Sequence, residues 1–174
     1  LEWIINRLEN SAVFNIYISV CYLPDQIRDF VDQRDNWAEI ELIHEDQPLG
    51  TAGSLSALAE RVDSPVLVLN GDLVTNINFN ALVDFHQRHK YDATIAVANY
   101  DVEIPFGVIQ QTDEGMFDGI HEKPRQRHFV SAGIYYLSPE ILSMVPDNTR
   151  MDMPELLDLA RKLNMRVGLF PIHE

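Results

Sequence analysis

Short apolar runs of strand type alternate with stretches of helical periodicity through the first hundred residues. This alternation constrains the fold more than any other feature of the chain. Leu1, Ile4, Ile5 and Leu8 keep the i, i+3, i+4, i+7 spacing of a helix face. Phe14 to Tyr22, rich in β-branched and aromatic residues, reads as a buried strand. Pro24 to Val31 reads as a helix with proline in its first turn, where a missing N–H is tolerated. Ile40 to His44 is a strand, Thr51 to Ala59 a helix, Val66 to Asn70 a strand. Phe79 to His89 is a helix with Leu82, Val83 and Phe85/His86 on one face, and Ala93 to Asn99 a further strand. The unbroken apolar run from Val66 predicts a parallel strand covered on both faces. Alternation of this kind predicts an α/β fold, with a parallel sheet between two helical layers.

After Asn99 the rhythm changes. Gly107 to Gln111, Met116 to His121 and Val130 to Leu137 read as strands without long helices between them. Thr112-Asp113-Glu114-Gly115 supplies a hairpin turn. Met153 to Leu163 is a helix with Asp152 as its N-cap, and Val167 to Ile172 a last strand. The later hairpins make the sheet mixed or add a β-rich portion beside it. No linker or internal repeat interrupts residues 1–174, which read as a single domain.

Charge narrows the partners. Against 13 Lys+Arg stand 27 Asp+Glu, a formal net charge of −14. Such a surface repels nucleic acid and anionic lipid. An anionic small substrate then needs a metal ion, helix N-termini or a local Lys or Arg. No apolar run approaches the roughly 20 residues of a membrane span. The single cysteine, Cys21, excludes an internal disulfide, fits a reducing, cytoplasmic compartment, and reads as a small core residue of its strand. The six histidines show no metal-ligand spacing, and His86 and His89 read as surface or edge residues.

Several short motifs carry candidate chemistry. Glu45-Asp46-Gln47-Pro48-Leu49-Gly50-Thr51-Ala52-Gly53 joins a strand to a helix start. Its glycines let the backbone lie against a flat or charged ligand, and N–H groups at a helix start favour phosphate. It lacks the Gly-Lys-Ser/Thr of a P-loop and the glycine spacing of a dinucleotide fingerprint. Asn70-Gly71-Asp72 ends the Val66 strand on the side where α/β sheets bind ligands. Gly71 permits close approach, and Asp72 is a hard oxygen ligand for Mg²⁺. Glu122-Lys123-Pro124 offers a hydroxyl acceptor and one of the few positive charges in the chain. Ser131-Ala132-Gly133, within Val130 to Tyr135, and Gly107, within Pro105 to Ile109, allow close backbone approach inside strands. Singly, each of these also fits a turn, a solvated charge pair or a small-residue packing site.

Together and in this order, the motifs resemble the sugar-1-phosphate nucleotidylyltransferases. Those enzymes join a nucleoside triphosphate to a sugar 1-phosphate and release pyrophosphate. Pro48-Leu49-Gly50-Thr51-Ala52-Gly53 is similar to the mannose-1-phosphate guanylyltransferase-like branch, some of whose members carry CBS domains upstream. The resemblance implies a Rossmann-like three-layer α/β/α fold with a mixed, mainly parallel sheet and a β-rich sugar-binding portion. It implies that Glu45, Pro48, Leu49, Gly50, Thr51, Asn70 and Gly71 meet the nucleotide, with Gly50 against the base and Glu45 at its edge. Asp72 would hold Mg²⁺. Gly107, Glu122, Ser131, Ala132 and Gly133 would meet the sugar, and Lys123 its phosphate. A carboxylate at Glu45 can accept two hydrogen bonds from guanine and fewer from uracil or thymine, which favours GTP. A non-catalytic, nucleotide-sugar-binding regulatory paralogue is the alternative reading. A phosphate acceptor other than a sugar is a third.

The resemblance also implies missing parts. The family's glycine-rich triphosphate loop and following Lys-Pro segment, and a second metal-binding Asp, have no counterpart in these 174 residues. The expectation is a core piece, truncated at both ends, with negligible transferase activity. Absence of the first strand would leave an exposed edge or groove able to drive self-association, including a homo-oligomer.

Overall fold

The computed structural model describes residues 1–11, 13–34 and 38–172. Its elements run α1 (Glu2–Glu9), β1 (Asn15–Val20), α2 (Pro24–Asp32), β2 (Glu39–His44), a 3-10 helix (Gly53–Leu58), β3 (Val66–Leu69) and α3 (Phe79–His89). They continue with β4 (Ala93–Glu103), β5 (Val108–Gln111), β6 (Phe117–His121), β7 (Arg125–Leu137), α4 (Pro139–Leu142), α5 (Met153–Lys162) and β8 (Val167–Ile172). No helix among the described residues is long and apolar enough to cross a membrane.

A four-stranded sheet in the order β3-β7-β4-β8 forms the centre. β3, β4 and β8 point one way and β7 runs against them. The sheet is thus mixed and mainly parallel in direction, but the expected parallel pairing of the Val66 strand is not found. β7 returns from the β-rich portion and inserts between β3 and β4, so β3 pairs antiparallel, Val66 with Leu137 and Leu69 with Ile134.

Side chains alternate across this sheet with the period of two that a strand imposes. Leu67 and Leu69 of β3, Ala96 of β4, and Ile134 and Tyr136 of β7 join one apolar layer, closed by Ile4, Ile5 and Leu8 of α1 and Phe79 and Leu82 of α3. Val66 and Val68, Ala93, Tyr135 and Leu137 join the other, closed by Leu55 and Leu58 of the 3-10 helix and Leu156 and Ala160 of α5. Three layers result, as the alternation predicts.

Several expectations change in detail. The helix predicted over Thr51 to Ala59 is a tighter 3-10 helix; Gly53, Ser54 and Ser56 favour turns over α-helix, and Ser56 Oγ bonds the Gly53 carbonyl at 3.0 Å. Cys21 falls just beyond the end of β1 and is half-buried, not a core strand residue. His86 is 4% exposed, not an edge residue: its Nδ1 lies 2.9 Å from Thr94 Oγ1 and its ring meets Tyr136 edge-on. The hairpin at Thr112–Gly115 forms between β5 and β6, with Gly115 at φ +79°.

β1 and β2 form a separate parallel pair. Phe14 and Val20 carbonyls accept from Glu39 and Glu45, so alternate residues of β1 face β2 and Tyr17 and Ser19 turn their backbone groups the other way. The Asn70 N–H donates to the Gly133 carbonyl, which fixes the bonded pairs of β3 and β7 and turns the backbone of Leu67 and Leu69 away from β7. These two free edges line opposite walls of a cleft of about 790 Å³. Both walls lie in the same apolar layers, since Ile16 and Ile18 join Leu67 and Leu69 on one side, and Tyr17 joins Val66 on the other.

Candidate functional site

The cleft collects one set of the expected residues. Gly50 and Thr51 line it together with Asn70 and Gly71. Glu45 follows the end of β2, where the residue is 7% exposed. One oxygen takes the Ser19 hydroxyl at 2.6 Å and the other the Leu49 N–H at 3.0 Å. A buried carboxylate requires such donors, and here the protein supplies them. Glu45 therefore bends the loop back onto β1 and buries Leu49, while Pro48 stays exposed.

The glycines of this loop serve the protein first. Gly50 has φ +79°, and a Cβ there would stand 2.6 Å from Asp152 Oδ1 and from the Met151 carbonyl. A Cβ on Gly53 would stand 2.6 Å from the Thr149 carbonyl. The expected close approach exists, but its partner is the segment Thr149–Asp152, which leads into α5. The Met151 carbonyl accepts from the N–H groups of Ala52 and Gly53, and the Met151 N–H donates to Leu49.

Asn70, Gly71 and Asp72 follow β3, and Asn70 meets Gly133 of β7. Gly133 adopts φ +71° where the pairing of β4 and β7 shifts register, between Ile95 and Val97. This bulge turns the Gly133 carbonyl to the Asn70 N–H, and a Cβ on Gly133 would stand 2.6 Å from Asn70 Nδ2. Ser131 Oγ accepts from the Gly133 N–H at 3.2 Å and contacts Tyr135 Oη at 2.9 Å, while Ala132 is half-buried beside it. By contrast, a Cβ on Gly71 would meet nothing within 4 Å. Protein crowding does not explain glycine at that position.

Asp72 is exposed at this strand end. Among the described residues no group of three or more His, Cys, Asp or Glu is gathered for a metal. Mg²⁺ keeps several waters and takes one or two carboxylates with substrate phosphates, so a single carboxylate in open space fits it.

Gly107, Glu122 and Lys123 come together at the base of the β5–β6 hairpin. A Cβ on Gly107 would stand 2.6 Å from Ile120 Cδ1 and 2.9 Å from Glu122 Oε2, so the glycine makes room for both side chains. The Lys123 N–H donates to the Phe106 carbonyl, and Lys123 is held at φ +45° before Pro124. A lysine in the left-handed region is unfavourable unless its surroundings impose it. Glu122 and Lys123 are both exposed.

Sequence reasoning missed Ser19 and the Thr149–Met153 segment. Ser19 carries no local signal; it reaches Glu45 because β1 and β2 pair in register, Ser19 beside Ile43. The signal for the second was partly visible, since Asp152-x-x-Glu155 is a capping box and the Asp152 N–H does donate to Glu155 Oε2 at 3.0 Å.

Residues 1–167 match the nucleotidyl transferase family. Mannose-1-phosphate guanylyltransferase catalytic subunit beta of Drosophila pseudoobscura pseudoobscura is 31% identical over 149 residues, which cover 81% of this chain and 40% of that one. Mannose-1-phosphate guanyltransferase of Aspergillus fumigatus is 33% identical over 153 residues, covering 81% and 41%. The chain thus spans about 40% of the length of these curated relatives. Among solved structures, HddC from Yersinia pseudotuberculosis complexed with GMP-PN shares the fold at TM-score 0.71 and 21% identity, over 98% of this chain and 75% of that one. A putative glucose-1-phosphate thymidylyltransferase from Bacillus anthracis, in complex with a sucrose, does so at TM-score 0.72 and 16% identity, over 99% and 73%. By its sequence match over residues 1–167, the chain belongs to the nucleotidyl transferase family.

Proposed function

We propose that the protein containing this domain transfers a nucleoside monophosphate from a nucleoside triphosphate to a sugar 1-phosphate, releasing pyrophosphate. The observation that carries this reading is the open space beside Gly71, with Asp72 after it, Asn70 before it bonded to the Gly133 bulge, and the Gly50–Thr51 loop on the same cleft. A sugar phosphate oxygen attacks the α-phosphorus in line, and pyrophosphate leaves. Two anions must meet, so the reaction depends on positioning and charge neutralisation.

This chain's residues divide that work. Pro48, Leu49, Gly50 and Thr51 bind the nucleotide from the loop side, and Asn70 and Gly71 from the strand end. Asp72 holds Mg²⁺, which when bound supplies positive charge to the phosphate oxygens. Gly107 and Glu122 orient the sugar by backbone and hydroxyl contacts, with Ser131, Ala132 and Gly133 along its pocket. The Lys123 ammonium sits on the sugar phosphate. Guanine is the favoured base, because the relatives at 31–33% identity are named as guanylyltransferases. Glu45 no longer carries that argument, since both its oxygens are engaged by Ser19 and Leu49.

We also place the remaining machinery outside residues 1–174. The free edges of β1 and β3 fit one added strand, which would give the order β2-β1-added strand-β3-β7-β4-β8. Pyrophosphate release is the test, with GTP, UTP, dTTP, CTP or ATP, Mg²⁺ and a panel of sugar 1-phosphates. The gene's full-length product should turn over with GTP, and residues 1–174 alone should not. Turnover confined to another nucleotide overturns the base assignment. Tight nucleotide-sugar binding without turnover by the full-length product favours a regulatory paralogue.

A further inference from the structure

Thr51 donates a hydrogen bond to Asp152 and accepts one from Met153, residues more than 100 positions away in sequence. The Thr51 N–H donates to Asp152 Oδ1 at 3.1 Å, and the Met153 N–H donates to Thr51 Oγ1 at 2.7 Å. The first N–H groups of a helix have no partner within it. At α5 one of them is satisfied by the side chain of the loop, while the helix's N-cap side chain, which also caps the Glu155 N–H, accepts from the loop. Around this pair the Met151 carbonyl takes Ala52 and Gly53, and Met151 donates to Leu49. Gly50 and Gly53 leave no room for side chains that would separate the two segments. α5 is anchored in turn, since Met153, Leu156 and Ala160 are buried in the second apolar layer.

We propose that Thr51 and Asp152 form a latch that positions the nucleotide loop. Asp152 is a positioning residue: it holds the backbone of Gly50 and Thr51 against the rigid α5 start. With one lone pair of Thr51 Oγ1 taken by Met153, the hydroxyl keeps its proton to offer to a ligand, and the oxygen's position is set by the latch. The proposal rests on the reading of Glu45–Gly53 as a nucleotide-binding loop.

The test uses the gene's full-length product and steady-state kinetics with each substrate varied in turn. Loss of one latch hydrogen bond, by T51V or by D152A, raises KM for the nucleoside triphosphate about fivefold or more. KM for the sugar 1-phosphate stays within about twofold of wild type, and T51S and D152N, which keep the acceptor oxygens, restore the nucleotide KM. If both KM values rise together, or neither moves, the latch is only a helix cap and the proposal fails. Because T51V also removes the hydroxyl offered to the ligand, Asp152 decides: should D152A not fold, D152G, a tolerated N-cap that lacks the acceptor, replaces it. Amide exchange of the wild-type protein separates the two readings. Protection of residues 45–53 on nucleotide addition, with an unchanged KM in T51V, overturns the latch alone. Absence of that protection overturns the nucleotide-loop reading and the latch with it.

Discussion

Gly133 and Gly71 lie close together, yet a methyl group would have opposite effects on them. At Gly133 it meets a left-handed backbone and stands 2.6 Å from Asn70 Nδ2. Gly133→Ala should lower unfolding free energy by about 1–3 kcal/mol, read as an earlier midpoint in urea. At Gly71 the space is empty. Gly71→Ala should change stability by no more than about 1 kcal/mol and still weaken nucleotide binding by the full-length protein in titration calorimetry. An equal affinity for nucleotide would show that nothing approaches Gly71. Residue identity alone flagged both glycines without separating them, because the distinction lies in what faces each one. Glu45 teaches the same lesson. A carboxylate at a strand end was legible as special, but its partners Ser19 and the Leu49 N–H come from strand pairing and loop closure.

At the scale of elements, His86 of α3 shows how burial alters a group that sequence placed at the surface. Its imidazole packs on Tyr136 and Thr94, and burial lowers its pKa from 6.5, while Asp92 opposes that shift. The folded state therefore binds fewer protons at this site than the unfolded chain. Stability is full above about pH 6.5, the unfolded value, and falls as pH drops below it toward the folded pKa. The drop in Tm between pH 7.5 and 5.5 should be smaller in His86→Asn than in wild type; an equal drop would assign the pH dependence to other groups. Most elements were legible because their apolar periodicity is strong. The outer halves of β4 and β7 were not, since residues 99–103 and 125–129 are largely exposed. Their signal is cross-strand charge pairing, Asp101 opposite Arg127 and Glu103 opposite Arg125, which appears only when the register is known. The direction of β3 was likewise beyond local pattern: an apolar run announces a buried strand, but a β7 partner some 65 residues later decides how it pairs.

Taken as a whole, the described residues form three sheets; apart from the β5–β6 hairpin, two parts share apolar layers without sharing a sheet. β1, α2 and β2 form one, and the four-stranded sheet with its helices forms the other. Side chains hold the smaller part in place: the Arg34 bond to Asn6, the Arg61 ion pair with Glu41 and the Arg61 guanidinium over the Tyr17 ring. Those polar contacts are exposed or partly so, and each contributes little. In residues 1–174 alone, amides of β1 and β2 should exchange with deuterium faster than those of β4 and β7. In the full-length product Tyr17, Ser19, Leu67 and Leu69 should become protected; equal rates in both would mean that no strand enters the cleft. The divided sheet thus makes the β1–β2 lobe a cooperative unit with its own, smaller opening free energy. A protease at low concentration should cut first within this lobe, while the β4–β7 core remains folded.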